Sequence, residues 1–259
     1  MDRTTTRDPL DWLRRSADAP PLVVAHRGAS ADAPENTLAA FRLALEQDAR
    51  VVECDVHLSA DGVPVVIHDE TVDRTSDGTG AVASLTLAQL QELDAGSWKG
   101  ERFAGERIPT LDATLALCAG RARVFVELKR GGGPTLVEAA LASVERARCD
   151  VAIISFGPDE VAAVARARPE LPLGFLVGKA HVLEHGAERV LAFAHELGAG
   201  FISPQHDAVD AAFIGAARVA GLPVSVWTVD EPGRMRALAD LGIDALTTNV
   251  PRVALGVFS

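Results

Sequence analysis

Between Val124 and the C-terminus the chain repeats one pattern: a short, unbroken apolar run, then about a dozen residues of helical periodicity. The runs are Val124–Leu128, Val151–Ser155, Leu173–Val177, Phe201–Ser203, Val224–Trp227 and Ala245–Thr248. The spacing predicts helices over 135–146, 159–168, 184–197, 208–220 and 231–241, then a short terminal helix. Runs that are apolar throughout, and do not alternate, belong to strands covered on both faces. That means parallel pairing with right-handed crossovers. Two more such runs, Leu22–Ala25 and the one opening at Val51, precede these. Between them Asn36 or Thr37 can cap a helix that carries Leu38, Phe41 and Leu45. The count is eight strand–helix units, which predicts a (β/α)8 TIM barrel. A doubly wound open sheet is the alternative, but it should carry a Gly-rich phosphate loop after its first strand. His26-Arg27-Gly28 is not that loop.

The count holds only if one further run, Val63–Ile67, lies outside the barrel. Asp61-Gly62 reads as a tight turn, so this run should fold back on the second strand as a hairpin. From Glu70 to Arg107 the chain is rich in Gly, Asp and Ser, with one amphipathic piece at Leu85–Leu93 and Trp98 in a Gly-rich setting. It reads as a long functional loop, too small for a second domain. Pro109 then precedes a helix to about Ala119. Residues 1–20 read as an arm whose Trp12 and Leu13 tuck against the body, and 21–259 as a single barrel domain.

The formal net charge is −11, which argues against nucleic acid, whose binding would need a basic stripe. An anionic substrate would have to find a local field, from a metal or a few basic side chains. The first fifteen residues are charged and lack an apolar signal core. No run approaches the roughly 18 apolar residues of a membrane helix. Cys54, Cys118 and Cys149 have no metal or redox spacing and read as reduced, buried thiols. The expectation is a cytoplasmic protein without membrane insertion; homo-oligomerisation stays open.

In a barrel of this kind the active site lies at the C-terminal ends of the strands. That rim collects His26 and Arg27, then Glu53 and Asp55, then Glu127 and Lys129, with Trp227 and Asn249 on the last two strands and His68 on the hairpin. Glu53 and Asp55 are two apart on a strand and share a face. Three converging carboxylates repel unless a cation neutralises them. Oxygen donors suit one hard divalent ion, Mg²⁺ or Ca²⁺, better than zinc. Beside it Arg27 and Lys129 suit a phosphate, and two histidines can serve as base and acid. His57 shares the carboxylate face but reads as an outer-loop residue. Ser30 sits in no nucleophile elbow.

Several of these stretches resemble the glycerophosphodiester phosphodiesterase family, in its compact bacterial form. They are His26-Arg27-Gly28, Pro34-Glu35-Asn36-Thr37 with Ala40-Phe41, Glu53-Cys54-Asp55, and His68-Asp69 with Arg74-Thr75. Val126-Glu127-Leu128-Lys129, Ser155-Phe156, Trp227-Thr228-Val229 and Thr248-Asn249-Val250-Pro251 follow in the family's order. The resemblance runs from about residue 22 to 255. It implies a metal-dependent barrel hydrolase, a phosphoric diester hydrolase releasing glycerol 3-phosphate and an alcohol. It implies catalytic His26 and His68, metal ligands Glu53, Asp55 and Glu127, and phosphate-holding Arg27 and Lys129. Trp227 would be a wall of the pocket.

Three positions depart from the family pattern. Asn249 stands where the ending usually has Asp, Asp230 where Asn is common, and Gly157 where Asp is common. Two other readings compete: a sphingomyelinase D-like barrel phospholipase, and a catalytically silent phosphodiester-binding protein. The acidic sequence offers the first no basic membrane-facing rim, and the intact histidines and carboxylates argue against the second. A glycerol moiety carries a hydroxyl next to its ester oxygen, so attack by that hydroxyl through a cyclic phosphate is expected.

Overall fold

A computed structural model describes residues 9–16 and 19–259. Its strands are β1 (Leu22–His26), β2 (Val51–Leu58), β3 (Pro64–Val66), β4 (Arg123–Leu128) and β5 (Val151–Ser155), then β6 (Leu173–Val177), β7 (Phe201–Pro204), β8 (Ser225–Val226) and β9 (Ala245–Thr248). All but β3 are parallel, in the order β7-β6-β5-β4-β2-β1-β9-β8. Single bridges from Ile202 to Val224 and from Gln205 to Trp227 bring the two ends together. The result is a nearly closed (β/α)8 barrel. β3 pairs antiparallel with the far end of β2, Val56 opposite Val66, and stays out of the barrel. The seventh barrel run, expected over Val224–Trp227, is regular only at Ser225–Val226.

Side chains alternate along each strand, and the two faces have separate cores. Val24, Val51, Phe125, Ala152, Ile154, Leu176, Phe201 and Ala245 point inward and fill the base of the barrel. Leu10 and Leu13 close that base from below, and Trp12 meets Phe125 edge-on at 5.8 Å. Residues 1–8 and 17–18 of the expected arm lie outside the described residues. The outward residues, such as Val52, Cys54, Val126, Ile153 and Leu246, pack on the helix layer through Phe41, Leu115, Phe213 and Leu238. Each fully buried Phe or Leu contributes about 1.5–3 kcal/mol of transfer free energy. Cys54 and Cys118 are buried and Cys149 half-buried, and all three are free thiols.

The helices are α1 (Leu38–Glu46), α2 (Leu87–Leu90), α3 (Leu111–Cys118), α4 (Gly133–Arg146) and α5 (Pro158–Ala167), then α6 (Lys179–His185), α7 (Ala187–Glu196), α8 (Ala211–Ala220), α9 (Pro232–Leu241) and α10 (Pro251–Phe258). Of the two caps expected for α1, Thr37 takes the role, its hydroxyl accepting from the Ala40 N–H. The helix expected over 184–197 is α7 and begins three residues later; residues 184 and 185 end a separate helix, α6, that was not expected from the sequence. Gly186, at φ +79°, ends one and begins the other.

The segment between β3 and α3 has its own small core of Val65, Ile67, Val72, Val82, Leu90, Ala95 and Ile108. Within it are α2 and two 3-10 turns, Val82–Ser84 and Glu101–Phe103. It leans on the loop after β1: Lys99 Nζ donates to the Ser30 carbonyl at 2.7 Å and Arg102 Nη2 to that of Asp32 at 2.9 Å. Among the described residues no helix is long and apolar enough to cross a membrane.

Candidate active site

Strand register decides which polar side chains meet. His26 lies opposite Glu53 across β1 and β2, and Asp55 opposite Glu127 across β2 and β4. His26 and Glu127 are at the C-terminal ends of β1 and β4, and Glu53 and Asp55 lie level with them in the longer β2, all of inward parity. One carboxylate oxygen each from Glu53, Asp55 and Glu127 lies within 4.8 Å of the others, and all three residues are buried.

Two cations share this cluster. Lys129 Nζ sits 2.6 Å from Asp55 Oδ1 and 2.6 Å from Glu127 Oε1. Arg27 Nε is 3.0 Å from Asp55 Oδ2, and the Arg27 backbone N–H donates to Glu53 Oε2 at 3.0 Å. Burial works against an ionised Asp55, but Lys129 and Arg27 outweigh it and hold that carboxyl far below the usual range. Glu53 and Glu127 go the other way. Burial, then the Asp55 charge, raises Glu127 to about 7 and Glu53 well above its ordinary value. Glu53 Oε1 is buried without a hydrogen-bond partner. An orphaned buried oxygen among acids that resist ionising together is what a divalent cation would relieve. The donor set is oxygen throughout, so the residues fit Mg²⁺ or Ca²⁺.

The loop after β1 is shaped for this meeting. Arg27 (φ +56°), Gly28 (φ +82°) and Asn36 (φ +58°) all take left-handed backbone conformations. A Cβ on Gly28 would stand 2.5 Å from the Ala40 carbonyl carbon, so only glycine lets α1 approach the turn. Strained non-glycine residues persist where the surroundings over-determine them. Here Asn36 is clamped to Asp55 twice: its Nδ2 donates to Oδ2 at 2.7 Å and its Oδ1 accepts the Asp55 N–H at 3.3 Å. The sequence offered Asn36 as a helix cap and as part of a family-like stretch, with no role in the site. Its place inside the site shows once the chain is folded.

The two histidines have unlike partners. His68 Nδ1 lies 2.6 Å from Asp69 Oδ1. Arg74 grips the other oxygen of Asp69 and reaches Glu35, which also accepts from Arg27 at 2.8 Å. An ion-pair chain therefore links the hairpin to the loop after β1. His57, set aside as an outer residue, supports the same hairpin through a 3.1 Å hydrogen bond from Nε2 to the His68 carbonyl. His26 Nδ1 instead lies 2.7 Å from a neutral group, Asn249 Oδ1. Burial, then Arg27, lowers His26 to about 4. Both rings are near enough for their charge to act on Asp55.

The three departures from the family pattern have structural accounts. Asn249 and Asp230 touch, Nδ2 donating to Oδ2 at 2.7 Å, so the acid and the amide have exchanged places within one pair. At Gly157 a Cβ would stand 1.7 Å from Glu160 Oε2. Buried Glu160 fills that space, its other oxygen accepting the N–H groups of Gly131 and Gly133 in the loop after Lys129. Glu160, which lies within the helix expected over 159–168, was not singled out from the sequence. Trp227 is half-buried at the rim, edge-on to Phe156 at 5.3 Å and donating from Nε1 to the Ser203 carbonyl. A hollow of about 630 Å³ lined by Arg14, Arg15 and Arg218 contains none of these residues.

A parallel barrel with acids, cations and two histidines on its C-terminal rim is the architecture of a barrel hydrolase. Over residues 26–253 the sequence matches the glycerophosphoryl diester phosphodiesterase family. It is 35% identical to the glycerophosphodiester phosphodiesterase of Caldanaerobacter subterraneus, over 91% of this chain and 97% of that one. To that of Bacillus subtilis it is 32% identical, over 89% and 84%. Among solved structures it resembles an Oleispira antarctica phosphodiesterase in complex with its product sn-glycerol-3-phosphate. That match has TM-score 0.85 and 30% identity, covering 92% of this chain and 96% of that one. The glycerophosphodiester phosphodiesterase of Agrobacterium tumefaciens matches with TM-score 0.78 and 34% identity, covering 91% and 99%. The chain belongs to the glycerophosphoryl diester phosphodiesterase family, and is an enzyme of the phosphoric diester hydrolase class.

Proposed function

We propose that this enzyme hydrolyses glycerophosphodiesters to glycerol 3-phosphate and an alcohol, using one divalent cation, Mg²⁺ or Ca²⁺, held by Glu53, Asp55 and Glu127. The observation that carries this reading is the convergence of those three buried carboxylates with Arg27 and Lys129, within electrostatic reach of His26 and His68. The product held by the Oleispira antarctica relative supports the substrate class. A cation there would neutralise the acids and draw charge from a phosphate oxygen.

The chain's own residues supply the rest. Arg27 and Lys129 add positive charge where the phosphate's negative charge grows. His26, held uncharged at neutral pH, is suited to take the proton of the attacking hydroxyl. His68, whose ring is paired with Asp69, is suited to deliver a proton to the leaving oxygen. Trp227 and Phe156 form an apolar wall at the mouth. The nucleophile in this reading is the glycerol hydroxyl adjacent to the ester. It gains proximity that water lacks, and water then opens the cyclic phosphate.

One substrate series tests both parts. Glycerol 3-phosphate release is followed from glycerophosphocholine, glycerophosphoethanolamine and glycerophosphoglycerol, with and without chelator, beside a diester lacking the adjacent hydroxyl. Release should depend on the cation, and the deoxy diester should bind yet turn over very slowly. Full-speed release in chelator would refute the metal assignment, and normal turnover of the deoxy diester would mean direct attack by water.

A further inference from the structure

The loops after β8 and β9 meet in a side-chain pair, Asp230 and Asn249, whose arrangement has only one self-consistent reading. Asp230 is pinned first: its Oδ1 accepts the Asn249 backbone N–H at 2.8 Å and the Thr248 hydroxyl at 2.9 Å. Its Oδ2 is then 2.7 Å from the Asn249 side-chain nitrogen. An ionised carboxylate accepts and cannot donate, so the Asn249 amide must present its NH₂ to Asp230. Its oxygen is thereby turned to the opposite side. There it meets the Ser30 hydroxyl at 2.9 Å and His26 Nδ1 at 2.7 Å. Turning the amide over would set its oxygen against the carboxylate and its NH₂ against His26.

An oxygen facing Nδ1 requires that nitrogen to carry the proton. Neutral imidazole has one N–H, so Nε2 keeps the lone pair. We infer that Asp230 and Asn249 are positioning residues for catalysis: through the amide they fix His26 as the Nδ1–H tautomer, with Nε2 free to accept a proton. Neither residue touches the reacting atoms. This rests on the reading of His26 as a base, and it deepens that reading by assigning the atom that does the work and the pair that selects it. The partner is neutral, so it orients the ring without adding a carboxylate's pull toward imidazolium. Ser30 holds the same amide oxygen and is itself tethered through its carbonyl to Lys99 of the long insertion, so the relay is braced from a second element.

The test begins on the wild-type enzyme, labelled with ¹⁵N-histidine, with His26→Ala used to assign the ring signals. Two-bond ¹H–¹⁵N correlation at neutral pH should show His26 with a protonated Nδ1 and an unprotonated Nε2. Asp230→Asn removes the demand for an NH₂ and lets the Asn249 amide turn. The spectrum should gain the Nε2–H tautomer, and kcat should fall on the order of tenfold, as for loss of a partner that orients a working histidine, while KM changes less than about threefold. The exchange Asn249→Asp with Asp230→Asn rebuilds an acceptor toward His26 and a donor behind it. It should restore the Nδ1–H signature and bring kcat to within about threefold of wild type. An Nε2–H tautomer in the wild type overturns the inference, as does Asp230→Asn with spectrum and kcat unchanged. If Asp230→Asn fails to fold, the wild-type spectrum still decides. Full activity in His26→Ala would sink the catalytic reading of His26 while leaving the tautomer assignment to stand or fall on its own signal.

Discussion

At the scale of single residues, the site combines side chains whose environments pull in opposite directions. Asp55 is kept ionised by Lys129 and Arg27, while Glu53 and Glu127 resist ionisation a few ångströms away. Separation of this kind among neighbouring acids marks a site built for charge chemistry. The histidines differ in the same sense, one beside an acid and one beside an amide. Replacing either with alanine should lower kcat by on the order of 10²–10⁴, the scale of a positioned acid or base. Both are only partly buried at the rim, so melting temperature should move little. Steady-state kinetics with a melting curve for each variant checks this; wild-type turnover in one would remove that histidine from the mechanism.

At the scale of elements, loops between a strand and the next helix do the positioning. The loop after β1 bends through three left-handed residues to lay Asn36 on Asp55, and the hairpin carries His68 back toward the same point. The loop after β4, which follows Lys129, is tied down by Glu160 of α5. Gly157→Asp would restore the family's commoner residue but drive its side chain into the Glu160 carboxylate. Expelling Glu160 removes the acceptor of two N–H groups that water can reach, on exposed Gly131 and half-buried Gly133, so each lost bond costs about 0.5–1.5 kcal/mol. The expected result is a destabilisation of about 1–3 kcal/mol in urea unfolding, partly relieved in Gly157→Asp/Glu160→Ala. Gly157→Asp with an unchanged midpoint would show that Glu160 yields without cost.

At the scale of the whole molecule, an acidic chain of net charge −11 gathers Arg27 and Lys129 around its most crowded acids. Part of the folding free energy opposes that crowding, and a bound cation should return it. At 100 times its Kd, a ligand that binds only the folded state adds about 2.7 kcal/mol. For a protein of this size that is a rise of about 5–10 °C in melting temperature. Mg²⁺ or Ca²⁺ should produce such a rise over a sodium salt of matched ionic strength, and Glu127→Gln should reduce it. Calorimetry showing the same curve in all three salts would mean that the acids hold no divalent ion.

The amino-acid sequence by itself determined the barrel, because unbroken apolar runs spaced by helical periodicity have few solutions that bury both faces of a parallel strand. It also placed Glu53 and Asp55 on one face, since side chains alternate along any strand. What it could not determine was everything that depends on register and on chain returning from far away. Asp55 meets Glu127 because β2 and β4 pair in one register. Asn36, Asp230 and Glu160 enter or brace the site through contacts across 19 to 29 positions of sequence, and no local pattern distinguishes them from a cap, a turn acid or a surface carboxylate. The break at Gly186 was hidden for a related reason: apolar spacing reports which face is buried, and it does not report whether the backbone hydrogen-bond ladder runs on. Hydrophobic pattern acts at short range and is written along the chain, whereas the hydrogen bonds that aim a histidine form only after the strands carrying their partners have closed the barrel.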